Sequence, residues 1–462
     1  MQIEGRGRRR GISTNRLRAP IVALRPRSLL AYLADRTRRF AAARPALELP
    51  TTVLQGILQP WRWLLLLLVF AAALPAHAGL ATAPGSQLEV SLLTYGPGKV
   101  YWERFGHDAI MLRDRLSGQA VTFNYGVFDF SQKHFLLNFI RGHMRYSMDA
   151  NPAAADIDSY VAAGRWIEQQ RLALSPAQRA RLRDFLLWNL QPQHRHYAYE
   201  YFTDNCSTRV RDALNLATHG SIEAQLSTQP SILTFRRQTD RLLAPDPALM
   251  LLVDLALGPY ADQPLSAWQA TFIPMTLQHS LQNLKVTDEA GNSHPLLSSQ
   301  NRIYAGRLPP PPTQAPQLAW PLGLAGLAVA ILLLLLTRSS RSVLQRSGNR
   351  LAGFYVLLAG LVGTLMLLLW TLTAHQAAWG NENLLLFNPL QWLLLPALLR
   401  HPHGKTRYAQ LSRYLAGLLA AVTVLALLAR LLNGLPQQNL PWILLALPIN
   451  LSLVWILRNR AN

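Results

Sequence analysis

Past four consecutive prolines, Pro309 to Pro312, the chain becomes almost continuously apolar to its end. Apolar runs cover residues 318–336, 351–373, 384–399, 414–432 and 442–457. In a bilayer every backbone N–H and C=O must be satisfied within the protein, so such runs fold as helices. The expectation is an all-α membrane domain over residues 317–462 with about five transmembrane helices. The third and fifth runs are short and contain proline. Residues 308–316 form the proline-rich linker before it, an extended, semi-rigid spacer. Charge in the short loops alternates. Arg338, Arg341, Arg346 and Arg350 follow the first run; Arg400, Lys405, Arg407 and Arg413 follow the third; Arg458 and Arg460 follow the fifth. The loops after the second and fourth carry no Lys or Arg, although Arg430 stands near the end of the fourth run. Positive loops stay in the cytoplasm, which puts the domain that precedes the linker on the other side.

The N-terminus agrees with that orientation. Residues 1–62 are an arginine-rich extension without a core pattern. Residues 63–78 combine a short apolar run, preceded by Arg62, with Ala76-His77-Ala78, an A-x-A cleavage pattern. This is the layout of a secretory signal peptide. The formal net charge of +21 could otherwise suggest a nucleic-acid partner. Its concentration in the extension and the short loops reads instead as membrane orientation, and no platform of aromatic and basic residues for single strands is present. No nucleic acid is expected as partner.

Between these segments, residues 87–307 are mixed and soluble in pattern, an exported α+β domain. Its focus is Cys206, the only cysteine in 462 residues. A lone exported thiol is either a small buried filler or a reactive group. Tyr197, Tyr199 and Tyr201 alternate before it as on a half-buried strand. Asp204, Asn205, Ser207 and Thr208 are helix-capping types, and Val210, Ala213, Leu214 and Ala217 then fall at helical spacing. Cys206 therefore opens a helix. The N–H groups and dipole there are expected to lower the thiol pKa, and the N–H groups of Cys206 and Ser207 to hold an oxyanion.

A nucleophilic cysteine needs a base, and the base an orienting group. Residues 89–95, 106–112 and 120–125 read as strands, the last two as a hairpin. His107, alone among the histidines, lies inside a strand and follows a glycine, which allows close backbone approach. Across the hairpin it would meet Asn124 or Tyr125. Asp108 would point to the other strand face. Residues 152–169 are a candidate helix, and residues 175–190 a clearer one, with Ser175 as cap and Pro176 as first helical residue. Arg236, Arg237, Asp254 and Asp262 are best read as solvated charges or structural ion pairs. His375, Asn381, Glu382, Asn383 and Asn388 read as a polar outer loop. No fixed set of metal ligands stands out, so neither a metal nor another cofactor is expected.

Three blocks carry a resemblance: Arg104-Phe105-Gly106-His107-Asp108-Ala109-Ile110; Asn124-Tyr125-Gly126-Val127-Phe128-Asp129-Phe130; and Arg195 through Tyr197, Tyr199, Tyr201, Phe202, Asp204 and Asn205 to Cys206-Ser207-Thr208-Arg209. With residues 257–266 and 272–274 they resemble the DUF4105 family, whose exported domain is of the Lnb type, after the Bacteroides lipoprotein N-acyltransferase. The resemblance implies a permuted papain-like (NlpC/P60-type) thiol-enzyme domain in which His precedes Cys, with Cys206 and His107 as a catalytic pair. Asn124 is the preferred third member, because its amide can accept from the imidazole N–H; Tyr125, Asp129, Asp204 and Asn205 are possible supporting residues. It also implies acyl transfer through a thioester, from a membrane phospholipid or diacylglyceryl lipid to the N-terminal amine of a lipoprotein. The rival readings are an exported cysteine hydrolase, a cell-wall peptidase, amidase or lipid esterase, and a non-enzymatic membrane scaffold. In every case the expected location is the cytoplasmic (inner) membrane, multi-pass, with the Cys/His domain on the periplasmic side.

Overall fold

The computed structural model describes residues 79–399 and 406–459. The basic extension, the signal segment, Arg400, Lys405 and Arg460 lie outside the described residues. The exported domain is built on a seven-stranded antiparallel sheet. Its strands are β1 (Leu88–Tyr95), β2 (His107–Asp114), β3 (Ala120–Val127), β4 (Arg145–Pro152), β5 (Ile167–Leu172) and β6 (His196–Ala198), with β7 (Lys285–Thr287) and β8 (Ser293–Pro295) forming a separate hairpin before β9 (Leu297–Tyr304). The spatial order is β6-β4-β3-β2-β1-β5-β9. The middle strands read as near-continuous apolar runs because both faces are covered: Leu92, Leu93, Ile110, Leu112 and Phe123 are fully buried. Each contributes about 1.5–3 kcal/mol of apolar burial.

Four helices surround the site: α1 (Phe135–Arg141), α2 (Ala153–Ala162), α3 (Pro176–Asn189) and α4 (Cys206–Ala217). Ser175 caps α3 through the Gln178 N–H, with Pro176 as first helical residue, as the sequence pattern predicts. The helix expected over residues 152–169 is shorter. It ends at Ala162, and Ile167 to Gln169 belong to β5, because the chain turns through Gly164 at φ +73°. The strand suggested by the alternating tyrosines is likewise brief, ending at Ala198; Tyr201 and Phe202 lie in a turn closed by Glu200, whose carboxylate accepts the Phe202 and Thr203 N–H groups.

Among the described residues of the membrane domain four helices are long and apolar enough to cross a bilayer: α7 (Ala319–Arg338), α8 (Ser342–Leu372), α9 (Arg407–Leu431) and α10 (Leu440–Asn459), following α5 (Phe235–Leu243) and α6 (Pro247–Ala256) of the exported domain. The third expected span does not form a long helix. Residues 384–399 are short 3-10 turns ending in the brief helix Leu395–Leu399. Pro389 lacks an N–H and drives Asn388 out of helical backbone, and Asn388 caps the next turn by accepting the Leu390 N–H at 3.0 Å. Side chains satisfy this irregular backbone. Trp392 Nε1 donates to Leu357 O at 3.0 Å, Tyr408 Oη to Leu393 O at 2.7 Å, and Gln391 Nε2 to Leu386 O at 3.1 Å. Non-helical backbone at membrane depth is tolerated where protein surrounds it, as here against α8 and α9.

Candidate active site

Asn205 makes the helix start that presents Cys206. Its Oδ1 accepts the N–H groups of Ser207 (2.9 Å) and Thr208 (3.0 Å), while its Nδ2 donates to Tyr201 O and Phe272 O at 2.8 and 2.9 Å. Every polar atom of that amide is used in shaping the loop. The Ser207 N–H is thus already engaged by the cap, and its hydroxyl bonds Asp108 Oδ2 (2.9 Å) and Thr271 O (2.7 Å). The Cys206 N–H has no such partner among the described residues. Asp204 is held by Arg209 in a two-pronged ion pair. Tyr125 points away from His107, donating to Asn189 Oδ1 at 2.7 Å. Asp129 accepts the Ser131 N–H and hydroxyl at 2.8 and 2.7 Å within its own turn.

His107 opens β2, opposite Tyr95. Gly106 before it has φ +83°, and an added Cβ there would come within 3.0 Å of Tyr95 O and 2.9 Å of Met275 Sδ. Only glycine fits that approach. Asn124 pairs with Ala109, two residues along on the His107 face. Its Oδ1 lies 3.0 Å from His107 Nε2. The amide orientation follows from its other end: Nδ2 faces Asp156 Oδ2 and Thr122 Oγ1, both at 3.4 Å. An amide oxygen only accepts, so Nε2 carries the ring proton and Nδ1 keeps its lone pair. Tyr95 Oη holds Asp156 Oδ2 at 2.9 Å. Asp156 was not legible from sequence; it sits on a helix after β4 with no motif to mark it.

The sulfur meets this assembly at the start of β2. The N–H groups of Asp108, the residue after His107, and Ser207 favour its ionised form. A Cβ added at Gly126 would lie 3.5 Å from Cys206 Cβ and 4.0 Å from Tyr197 Oη. Burial, and after it a charge on Cys206, push up the phenols of Tyr197 and Tyr199. The expected lowering of the thiol pKa is not the net outcome. Burial, then the Asp108 carboxylate, push it up to about 12, and the two N–H groups and Arg165 only partly oppose this. Burial likewise lowers His107 to about 4, against the raising effect of Asn124. Buried Asp108 is raised to about 7 despite its bonds to Thr94 and Ser207. At neutral pH thiol and imidazole are therefore both uncharged.

The exported domain is bolted to the membrane domain beside this site. Asn381 Nδ2 donates to Leu255 O and Ala256 O at 2.9 and 3.0 Å, and Asn383 Nδ2 to Leu255 O at 3.1 Å. Gln437 Nε2 reaches Leu257 O at 3.0 Å. His375 Nδ1 bonds Tyr201 Oη at 2.9 Å, five residues before the thiol. The polar outer loop is thus a joint.

Together these features define an exported thiol enzyme carried on a helical membrane domain. The profile of the Lnb N-terminal periplasmic domain matches residues 76–241, and that of the Lnb transmembrane domain matches residues 314–460. The two take up well over half of the chain, and the protein belongs to the Lnb family. No curated protein and no solved structure matches it. Membership makes it an inner-membrane, multi-pass, thiol-dependent acyltransferase-like enzyme with its catalytic domain in the periplasm, of the lipoprotein N-acyltransferase type.

Proposed function

We propose that Cys206 is the nucleophile, His107 its base and Asn124 the group that orients the imidazole, in a permuted papain-like arrangement. The observation that carries this is the Asn124 Oδ1 to His107 Nε2 contact, which leaves Nδ1 free to take the thiol proton at the strand end where the sulfur lies. Because both partners rest uncharged, the proton moves to Nδ1 as the sulfur attacks the ester carbonyl of a lipid donor. The new C–S bond forms a tetrahedral oxyanion. The Cys206 N–H at the start of α4 would hold it, with the hydroxyl of buried Tyr197, which like Cys206 lies near Gly126, as a second donor. The C–O bond then breaks, and the leaving alcohol takes the proton from the imidazolium. In the second half the amine of a lipoprotein N-terminus attacks the thioester. His107 takes the amine's proton, the C–N bond forms, and the C–S bond breaks to return the thiol.

A phospholipid or a diacylglyceryl lipid both meet the donor requirement. The joint to the membrane domain supports a lipid donor, since it holds the thiol domain at the bilayer and raises the effective concentration of lipid esters. A hydrolase would deliver water at the second step instead. Radiolabelled phospholipid supplied without acceptor is expected to leave an acyl group on the protein that neutral hydroxylamine removes, and added diacylated lipoprotein to discharge it onto the peptide amine. Discharge to free fatty acid at the same rate with or without lipoprotein would favour hydrolysis; transfer with no adduct under rapid quench would exclude the thioester.

A further inference from the structure

Helix α1 bears an apolar face that the described residues leave largely exposed. Leu136, Leu137 and Ile140 are 68%, 42% and 53% exposed and share one side of the helix by their three- and four-residue spacing. A seven-residue helix with three large apolar side chains in water is costly unless something covers them. Its location names the cover. The C-terminal end of α1 is tied to the chain just past α8, the 31-residue membrane span. Ala374 N–H donates to Arg141 O at 2.8 Å, and His375 Nε2 lies 3.1 Å from both Phe139 O and Ile140 O. Ala374 stands between Trp370 and Trp379, which are 45% and 41% exposed. Tryptophans gather at the level of lipid headgroups, so α1 lies at the outward surface of the bilayer that α7 to α10 cross. Exposed Arg141 and His143 close this end of the helix, where a cation can reach headgroup phosphates while the neighbouring apolar side chains go deeper.

From α1 an aromatic row leads to the thiol. Phe135 stacks near Phe128 (centroids 6.4 Å), Phe128 meets Tyr146 (5.3 Å), and Tyr146 stacks on Tyr199 (4.3 Å), in the segment that leads into the Cys206 turn. Trp102, 46% exposed beside Phe128, extends the apolar surface toward the strand start of His107.

We propose that α1 is seated in the outward leaflet of the membrane, with Leu136, Leu137 and Ile140 among the lipid chains, and that it passes the donor's acyl chain along Phe128, Tyr146 and Tyr199 to Cys206. The delivery step rests on the acyl-transfer reading above; the seating of α1 does not. Cys206 is the only cysteine, so the full chain carrying Cys206→Ser and Leu137→Cys takes a single nitroxide label. In phosphatidylethanolamine/phosphatidylglycerol vesicles that label is expected to be relaxed by oxygen and shielded from a water-soluble nickel chelate. The same label at Leu116, 76% exposed in the β2–β3 turn, is expected to show the reverse. Equal nickel access at the two positions would overturn the seating. So would shielding from both oxygen and nickel at Leu137, which would mean that a second copy or another protein covers the face.

The delivery step is tested by a ratio in the chain that retains Cys206. Leu136→Asn with Ile140→Asn is expected to lower Cys206 acylation from vesicle phospholipid about tenfold relative to acylation from a water-soluble butyryl thioester, on the order of the 1.4 kcal/mol that separates tenfold states. An unchanged ratio would overturn delivery. A wild-type chain that is acylated by neither donor would instead fail the thioester reading, with the seating of α1 still decided by the nitroxide.

Discussion

Two buried polar clusters lie in the exported domain, and they are built on opposite principles. At Arg236, 2% exposed, the guanidinium is surrounded by full charges: Nε donates to Asp262 Oδ1 and Nη1 to Asp254 Oδ1, both at 2.8 Å, and Nη2 to Leu257 O at 2.9 Å. The membrane domain completes it, Trp442 Nε1 reaching Asp254 Oδ2 at 2.7 Å and the Gln438 N–H reaching Asp262 Oδ2 at 3.0 Å. Every guanidinium N–H is engaged, and both carboxylates it holds are tied into the membrane domain, so the cluster fixes α5, α6 and α10 to one another. At Cys206 and His107 desolvation acts on groups without full counter-charges. It removes the charge from both, leaving a thiol and a neutral imidazole with open capacity at Nδ1 and at the Cys206 N–H. A saturated cluster holds domains together; in the proposed mechanism the unsaturated one takes a proton and an oxyanion.

Substitutions that break this contrast are expected to separate activity from stability. The largest effect belongs to the pair itself. Cys206→Ser or His107→Ala is expected to cut transfer by on the order of 10³-fold or more, with the double variant little worse, because the two act as a unit. Folding, read by thermal unfolding in detergent, should stay near wild type for Cys206→Ser. Substantial transfer by that variant would remove the thiol mechanism.

Arg236→Met should show the inverse profile. Removing one partner from a buried ion-pair cluster costs about 3–5 kcal/mol, here leaving Asp254 and Asp262 uncompensated next to Asp240, whose carboxyl burial already raises to about 8. The melting temperature should drop steeply, while the fraction that remains folded still forms the hydroxylamine-sensitive adduct. A variant with full stability would mean that the cluster is not a joint.

Asn124→Ala is expected to lower turnover about ten- to a hundredfold, well short of losing the dyad, since the ring keeps its place beside the stacked Tyr95 and Tyr160 but loses its orienting acceptor. Asp156→Asn should give a smaller loss in the same direction, because it acts on Asn124. Equal activity in both variants would take the orienting role from Asn124.

A pH experiment addresses the uncharged pair. His107 titrates near 4 in the fold against about 6.5 when free. The folded state therefore resists a proton that the unfolded chain accepts. Its contribution is intact above pH 6.5 and is lost as pH falls toward 4, by at most about 3 kcal/mol. Wild type should lose more stability than His107→Ala between pH 7 and pH 4, and the acid limb of kcat/KM should fall near 4. A limb near 6.5 would mean a solvated imidazole. The smallest expected change is for Asp108→Asn, which removes the carboxylate that helps to raise the thiol: alkylation of Cys206 at pH 9 should quicken severalfold.

Much of this was legible without coordinates. Asn205 and Cys206 announce a helix start by residue type alone, because capping is a local matter of one side chain and two N–H groups. The hairpin of β2 and β3 is equally local, so His107 and Asn124 could be matched from alternation and turn spacing. The apolar runs with their arginine loops determined a membrane domain and its orientation, since bilayer thickness and loop charge act on sequence directly. Other features depend on contacts that no local pattern encodes. Residues 384–399 have a span's composition, yet Pro389 and the turn-capping Asn388 make them a chain of short turns once α8 and α9 stand by to satisfy the backbone. The thiol pKa shows the same limit: the helix start was read rightly, but the depth of burial and the placing of Asp108 under Ser207 outweigh its N–H groups. Asp156, the outer-loop joint and the seat of α1 arise from residues far apart in the chain. Local hydrogen bonding and hydrophobic period are written in neighbouring residues; desolvation and long-range contact exist only when the chain has closed on itself.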